Sequence, residues 1–125
     1  MLFRSQDPRT GHRYNAACAA AFAGSGADEE CRKLSEDERA RWRKEARAWL
    51  RADLAAWKRM IDRDPSAIRT LAQQTLQLWQ ADPDLAGLRD PQALDKLPPS
   101  EREECRALWK EVRVLWDRVQ SADPE

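Results

Sequence analysis

Arg39, Arg43, Arg47 and Arg51 stand at four-residue steps, the spacing that places side chains above one another on a helix. A ridge of guanidinium groups, thickened by Arg41 and Lys44, would hold a phosphopeptide, a carboxylate-rich tail or a nucleic-acid backbone through bidentate contacts. The same residues also read as a solvated face balanced by Glu36, Asp37, Glu38 and Glu45. Thiol chemistry would fall to Cys18, Cys31 and Cys105. These are odd in number, widely spaced and without a C-x-x-C, which predicts reduced thiols rather than a disulfide framework. Cys18, set among alanines, and Cys105 read as small core residues, while Cys31 beside Arg32 and Lys33 is the candidate for a thiol of lowered pKa. His12 is the single histidine, so a His pair for zinc is excluded, and no metal or cofactor is predicted. The carboxylate pairs Glu103–Glu104 and Asp82–Asp84 fall at helix starts and turns, where acids are favoured anyway, and receive no acid–base role. The expectation is a protein without catalytic residues.

Bulk composition narrows the partners. Lys plus Arg equals Asp plus Glu at 22 each, so no global field draws the chain to nucleic acid or to an anionic membrane, and electrostatic recognition has to be local. Length fits one domain of 125 residues, and the scarcity of β-branched residues favours helix over sheet. The longest uncharged stretch, Tyr14 to Gly26, is shorter than the ~20 apolar residues of a membrane-spanning helix, and the first residues lack the pattern of a secretory signal. A cytoplasmic location is the expectation.

The elements that must position these side chains are helices. An apolar segment from His12 ends at Gly24-Ser25-Gly26. Ser35-Glu36-Asp37-Glu38 is a capping box, from which a long helix runs to Asp62 with Trp42, Ala46, Trp49, Leu50, Leu54, Trp57 and Ile61 on one face. Asp64-Pro65 starts the next helix, with Ile68, Leu71, Ala72, Thr75, Leu76 and Trp79 as its apolar stripe and Asp82-Pro83 as its stop. A short helix is predicted around Gln92 to Lys96, followed by a last helix opened by a second box at Ser100 to Glu103 and buried along Cys105, Leu108, Trp109, Val112, Leu115, Trp116 and Val119. All six tryptophans fall on these stripes and are expected in the core, with Trp42 the one most exposed.

The wording of His12 to Gly24, with Tyr14, Ala17, Cys18 and Ala21 at helical spacing, resembles the first helix of a tetratricopeptide repeat. With Trp49 to Trp57 and Trp79 to Asp90, it is similar to the closing repeat of the arrays that follow serine/threonine kinase domains in planctomycete-type bacteria. Trp57, Met60 and Pro65 match the end of such a repeat, whereas Asp53 stands where the family prefers Ala, and Ser25 to Arg41 is an insertion. There is no Gly-rich phosphate loop, H-R-D or D-F-G, so the resemblance is to a non-catalytic part. It implies an all-α domain over residues 12–121: a tetratricopeptide-like hairpin extended by two further main helices and one short helix. Residues 1–11 would be a linker and 122–125 a tail. The implied role is protein–protein interaction or capping of a repeat array. In that role Ala16, Ala19, Ala20 and Ala23 would face upstream repeats or a second copy of the chain, and the ridge of Arg39, Arg43, Arg47 and Arg51 carries the alternative reading, an anion-binding module.

Overall fold

The computed structural model describes residues 7–121, which are all-helical, without a strand, and form one domain. The helices are α1 (His12–Ser25), α2 (Glu29–Arg32), α3 (Glu36–Arg63), α4 (Pro65–Ala81), α5 (Ala86–Arg89), α6 (Pro91–Leu94) and α7 (Pro99–Ser121), with 3-10 turns at Pro8–Thr10 and Pro83–Leu85.

Local chemistry explains most boundaries. The Ser35 hydroxyl accepts from the Glu38 amide at 3.1 Å while the Glu38 carboxylate accepts from the Ser35 amide at 2.8 Å, closing the expected capping box of α3. Asp64 ends α3 and caps α4 through the Ala67 amide, with Pro65 in the first turn. Gly26 ends α1 at φ +67°, a left-handed conformation that side chains disfavour.

The Glu38 box also sets a pH dependence. The Ser35 amide holds the Glu38 carboxyl below its ordinary value of 4.5. Its stabilising contribution is therefore complete above that value and is lost as pH falls through the lower folded-state value. In acid titrations of urea stability, Glu38→Gln is expected to flatten the loss below pH 4.5. An acid limb identical to that of the native chain would show that the box contributes nothing.

Contacts between helices give their order. Arg13 at the start of α1 meets Asp53 in the second half of α3, and Gly24 at its end meets Arg43, so these two helices are antiparallel. Glu101, Glu111 and Arg118 of α7 meet Arg43, Arg51 and Asp62 of α3 in that sequence, so α7 runs parallel to α3. The Val119 carbonyl near the end of α7 accepts from Arg69 and Gln73 near the start of α4, so α4 runs back against α7. At 17 residues α4 spans about 25 Å beside the roughly 42 Å of α3. The segment after it continues the same column, burying Leu85 and Leu88 against α1 and α7. The core is the sum of the four inner faces: Ala17, Ala20 and Ala21; Leu50, Leu54, Trp57 and Ile61; Ala72, Leu76 and Trp79; Leu108, Val112 and Leu115. Helices α1 and α3 approach to backbone contact, since a Cβ at Gly24 would lie 2.9 Å from the Arg39 carbonyl oxygen.

Several expectations change. Helix α7 begins at Pro99, with the Arg102 amide donating to the Pro98 carbonyl, so Ser100 lies inside the first turn and cannot cap it. Proline's fixed φ favours that earlier start. The single short helix becomes α5 and α6, and the connection between α1 and α3 holds the one-turn helix α2, in which Cys31 is buried. Pro8 is also buried, so the domain reaches back to Asp7, further than a linker ending at residue 11; residues 1–6 and 122–125 of the expected linker and tail lie outside the described residues. Leu71, expected in the core, is exposed on α4.

Candidate functional site

The middle of the arginine ridge, Arg43 and Arg47, is neither a solvated face nor an open anion site, because it is buried in the α3–α7 interface. The guanidinium of Arg43 is buried and fully engaged. It donates through Nε and at 3.1 Å through one Nη to the Glu101 carboxylate, at 2.9 Å to the Gly24 carbonyl and at 2.9 Å to Glu36. Arg47, also buried, donates to the same Glu101 at 3.1 Å and lies 3.4 Å from Glu104. Arg51 pairs with Glu111 at 2.7 Å, and Arg39 donates at 2.6 Å to the Leu34 carbonyl, closing the loop ahead of α3. Burial works against the Arg43 charge, but Glu101 and Glu36 outweigh it and hold its pKa above the ordinary value. Sequence reasoning missed Glu101. The available signal was the matching order of acids on the last helix, Glu101, Glu104 and Glu111, opposite Arg43, Arg47 and Arg51.

A second internal pair joins α1 to α3. Arg13 Nε donates at 2.7 Å to Asp53, whose carboxylate is almost completely buried; burial pushes the Asp53 pKa up, and Arg13 offsets only part of that. This partner accounts for a buried acid at Asp53.

Between α1 and α4 lies a cleft of about 510 Å³. The Tyr14 hydroxyl donates to Asp82 at 2.7 Å, the Cys18 thiol donates to the same oxygen at 3.6 Å, and the Tyr14 ring stacks on Trp79 with centroids 5.5 Å apart. Ligand atoms of Cys18, Asp82 and Asp84 lie within 4.8 Å of one another. Both Asp82 oxygens are already occupied, one by the Asp84 amide and the other by Tyr14 and Cys18, so the cluster reads as the cap that closes α4 onto α1.

Burial, reinforced by Asp82, raises the Cys18 thiol to about 12, and burial raises Cys105. Cys31 is corrected: the Asp28 carboxylate beside it raises its pKa, whereas its sequence neighbours Arg32 and Lys33 suggested the opposite. A disulfide reagent at mildly alkaline pH is expected to react slowly with the folded chain and rapidly with three thiols after denaturation. One fast equivalent from folded protein would contradict this.

The surface around the cleft differs from the rest of the molecule. Helix α3 has fifteen charged side chains among 28 residues and α7 has ten among 23. Apart from His12, α1 and α4 carry two between them, Arg13 and Arg69, and both guanidinium groups are engaged, by Asp53 and by the Val119 carbonyl. Among the residues these helices expose are Asn15, Ala19 and Phe22 on α1 and Thr70, Leu71, Gln74, Gln77 and Leu78 on α4. Leu78 is 52% exposed. The four predicted alanines separate: Ala19 is exposed, Ala16 and Ala23 are half-buried, and Ala20 is 2% exposed. Ala20 is removed from the candidate face because the helical turn that presents Ala19 aims Ala20 into the core. Trp42 is the most exposed tryptophan, as expected, at 42%. Among the described residues, no helix is long and apolar enough to cross a membrane.

Comparison of the chain with protein-family models, with curated proteins and with solved structures gave no match.

Proposed function

We propose that this domain is a non-enzymatic protein-interaction module whose working surface is the charge-poor face of α1 and α4. In this reading α1 and α3 form a tetratricopeptide-like hairpin closed by α4 to α7. In a longer parent the face would receive the preceding repeats of a kinase-linked scaffold. The observation that carries it is a charge asymmetry: in a chain with 35% charged residues, α1 and α4 expose Leu71, Leu78, Phe22 and Ala19 and carry only Arg13 and Arg69 as charged residues apart from His12, while Arg9, Asp82 and Asp84 border the cleft between them. Depletion of charge around exposed large apolar side chains is the mark of an interface core. The alternative, anion binding by Arg39, Arg43, Arg47 and Arg51, is disfavoured because an anion would have to displace Glu101 from two buried guanidinium groups.

Photo-crosslinking tests the reading. A benzophenone side chain at position 19 or 78, in cells that express the protein natively, is expected to give a discrete protein adduct. The same group at Val114, an exposed apolar residue on α7, is the control and should give none. Absence of an adduct at both 19 and 78 would overturn the interaction reading.

A further inference from the structure

We infer that the partner segment received by the α1–α4 cleft carries a lysine or arginine beside apolar side chains, with its cation seated at Asp82 and Asp84; this rests on the interaction reading above. Carboxylate oxygens of these two residues lie within 4.8 Å of each other at the edge of the cleft. The other charges around it are already matched. Both carboxylate oxygens of Asp7 hold Arg9, Arg13 holds Asp53, and Arg89 is held by Asp90 and by the Trp79 and Asp82 carbonyls. Tyr14 and Cys18 donate to Asp82 as neutral groups, since burial raises both above their ordinary values, and so they leave its charge in place. Two neighbouring carboxylates without a counter-ion repel each other, and a cation set between them gains from both.

An organic cation suits this end of the cleft better than a metal ion. The Cys18 thiol, pushed up to about 12, stays protonated and is a poor ligand, and both Asp82 oxygens already accept hydrogen bonds. Beside the acids the cleft is hydrocarbon, with Ala19 exposed on α1 and Leu78 on α4. A lysine or arginine stem lies along such a wall while its head meets the carboxylates.

The cleft also holds a donor that needs an acceptor. Trp57 is 1% exposed and lines the same cleft, and its Nε1–H has no hydrogen-bond partner in the protein. Buried donors are almost always paired, and a peptide carbonyl supplies the missing acceptor. Trp57 and Leu71 are each seven residues from Asp64, where α3 turns into α4, so the donor belongs to the end of the cleft remote from Asp82. From Leu71 to Asp82 the chain rises about 16 Å, the length of about five extended residues. A segment of that size would set a backbone carbonyl at Trp57, apolar side chains on Leu71 and Leu78, and its cation at Asp82 and Asp84.

Panning a random heptapeptide library, displayed on phage, against the full chain tests this. Enriched peptides are expected to share a lysine or arginine next to apolar residues. The tightest of them, made as a free peptide, should bind roughly fivefold more weakly to Asp84→Asn and roughly tenfold more weakly to Leu78→Ser. Both side chains are exposed, so the helical spectrum of either variant should match that of the native chain. Asp84→Lys should turn the enrichment towards acidic peptides. In proton–nitrogen correlation spectra the Trp57 indole signal, identified by its loss in Trp57→Phe, should move downfield as the peptide binds. Enrichment of acidic or uncharged peptides by the native chain, binding unaffected by Asp84→Asn, or a Trp57 signal that stays in place overturns the cationic-segment inference. Any of these results together with a discrete adduct at position 19 or 78 would overturn it while leaving the interaction reading standing. No enrichment and no adduct would remove both.

Discussion

Glu101→Ala is expected to lower the unfolding free energy by about 3 to 5 kcal/mol, the usual effect of removing one partner from a buried ion pair. Glu101 is the single carboxylate shared by Arg43 and Arg47, and all three side chains are at most one-tenth exposed. Without it, two guanidinium groups remain in the α3–α7 seam with Glu36, Glu104 and the Gly24 carbonyl as partners. Neither can relocate to water easily, since the Arg43 stem passes under Gly24, where a Cβ would lie 2.4 Å from Arg43 Cγ. Urea unfolding followed by circular dichroism measures the loss, with Glu103→Ala as the comparison: that residue faces solvent beside Arg106 and should cost less than about 0.5 kcal/mol. If the two variants unfold at the same urea concentration, the ridge is not a buried anchor.

Asp53→Ala should cost about 3 kcal/mol or more by stranding Arg13 in the α1–α3 interface, yet the double variant Arg13→Met/Asp53→Leu should unfold close to the native midpoint. Burial already pushes the Asp53 pKa up despite Arg13 at 2.7 Å, so desolvation consumes most of what the pair gains in attraction. Apolar side chains of similar volume avoid both terms. What the double variant should lose is register: the pair fixes the first turn of α1 beside the second half of α3, and hydrogen exchange of the α1 amides is expected to quicken in it. A double variant as unstable as Asp53→Ala would mean that the ion pair itself, and not the avoidance of a stranded charge, holds the two helices together.

The sequence by itself determined the all-helical class, the four long helices and nearly every stop. Those features depend on groups within a few residues of one another: the Ser35–Glu38 box, the Asp64-Pro65 start and the Gly26 stop are completed by backbone amides and dihedrals that the local chain supplies. Where two local signals compete, as at Pro99 against Ser100, proline's fixed φ sets the start of α7. Which side of each helix faces another was decided only by the tertiary structure. Arg43 and Arg47 look like solvent residues on α3 until α7, 58 and 54 residues further on, brings Glu101 across. Ala19 and Ala20 are chemically identical neighbours, and only the direction from which α3 packs separates the exposed one from the buried one. Leu71 belongs to an apolar stripe in sequence but stands outside, because α7 covers one flank of α4 and the open cleft beside α1 is left on the other. Hydrophobic periodicity fixes a helix and its apolar arc. The direction in which that arc is covered depends on crossing geometry between segments far apart in the chain, and the candidate face of this protein is set at that level.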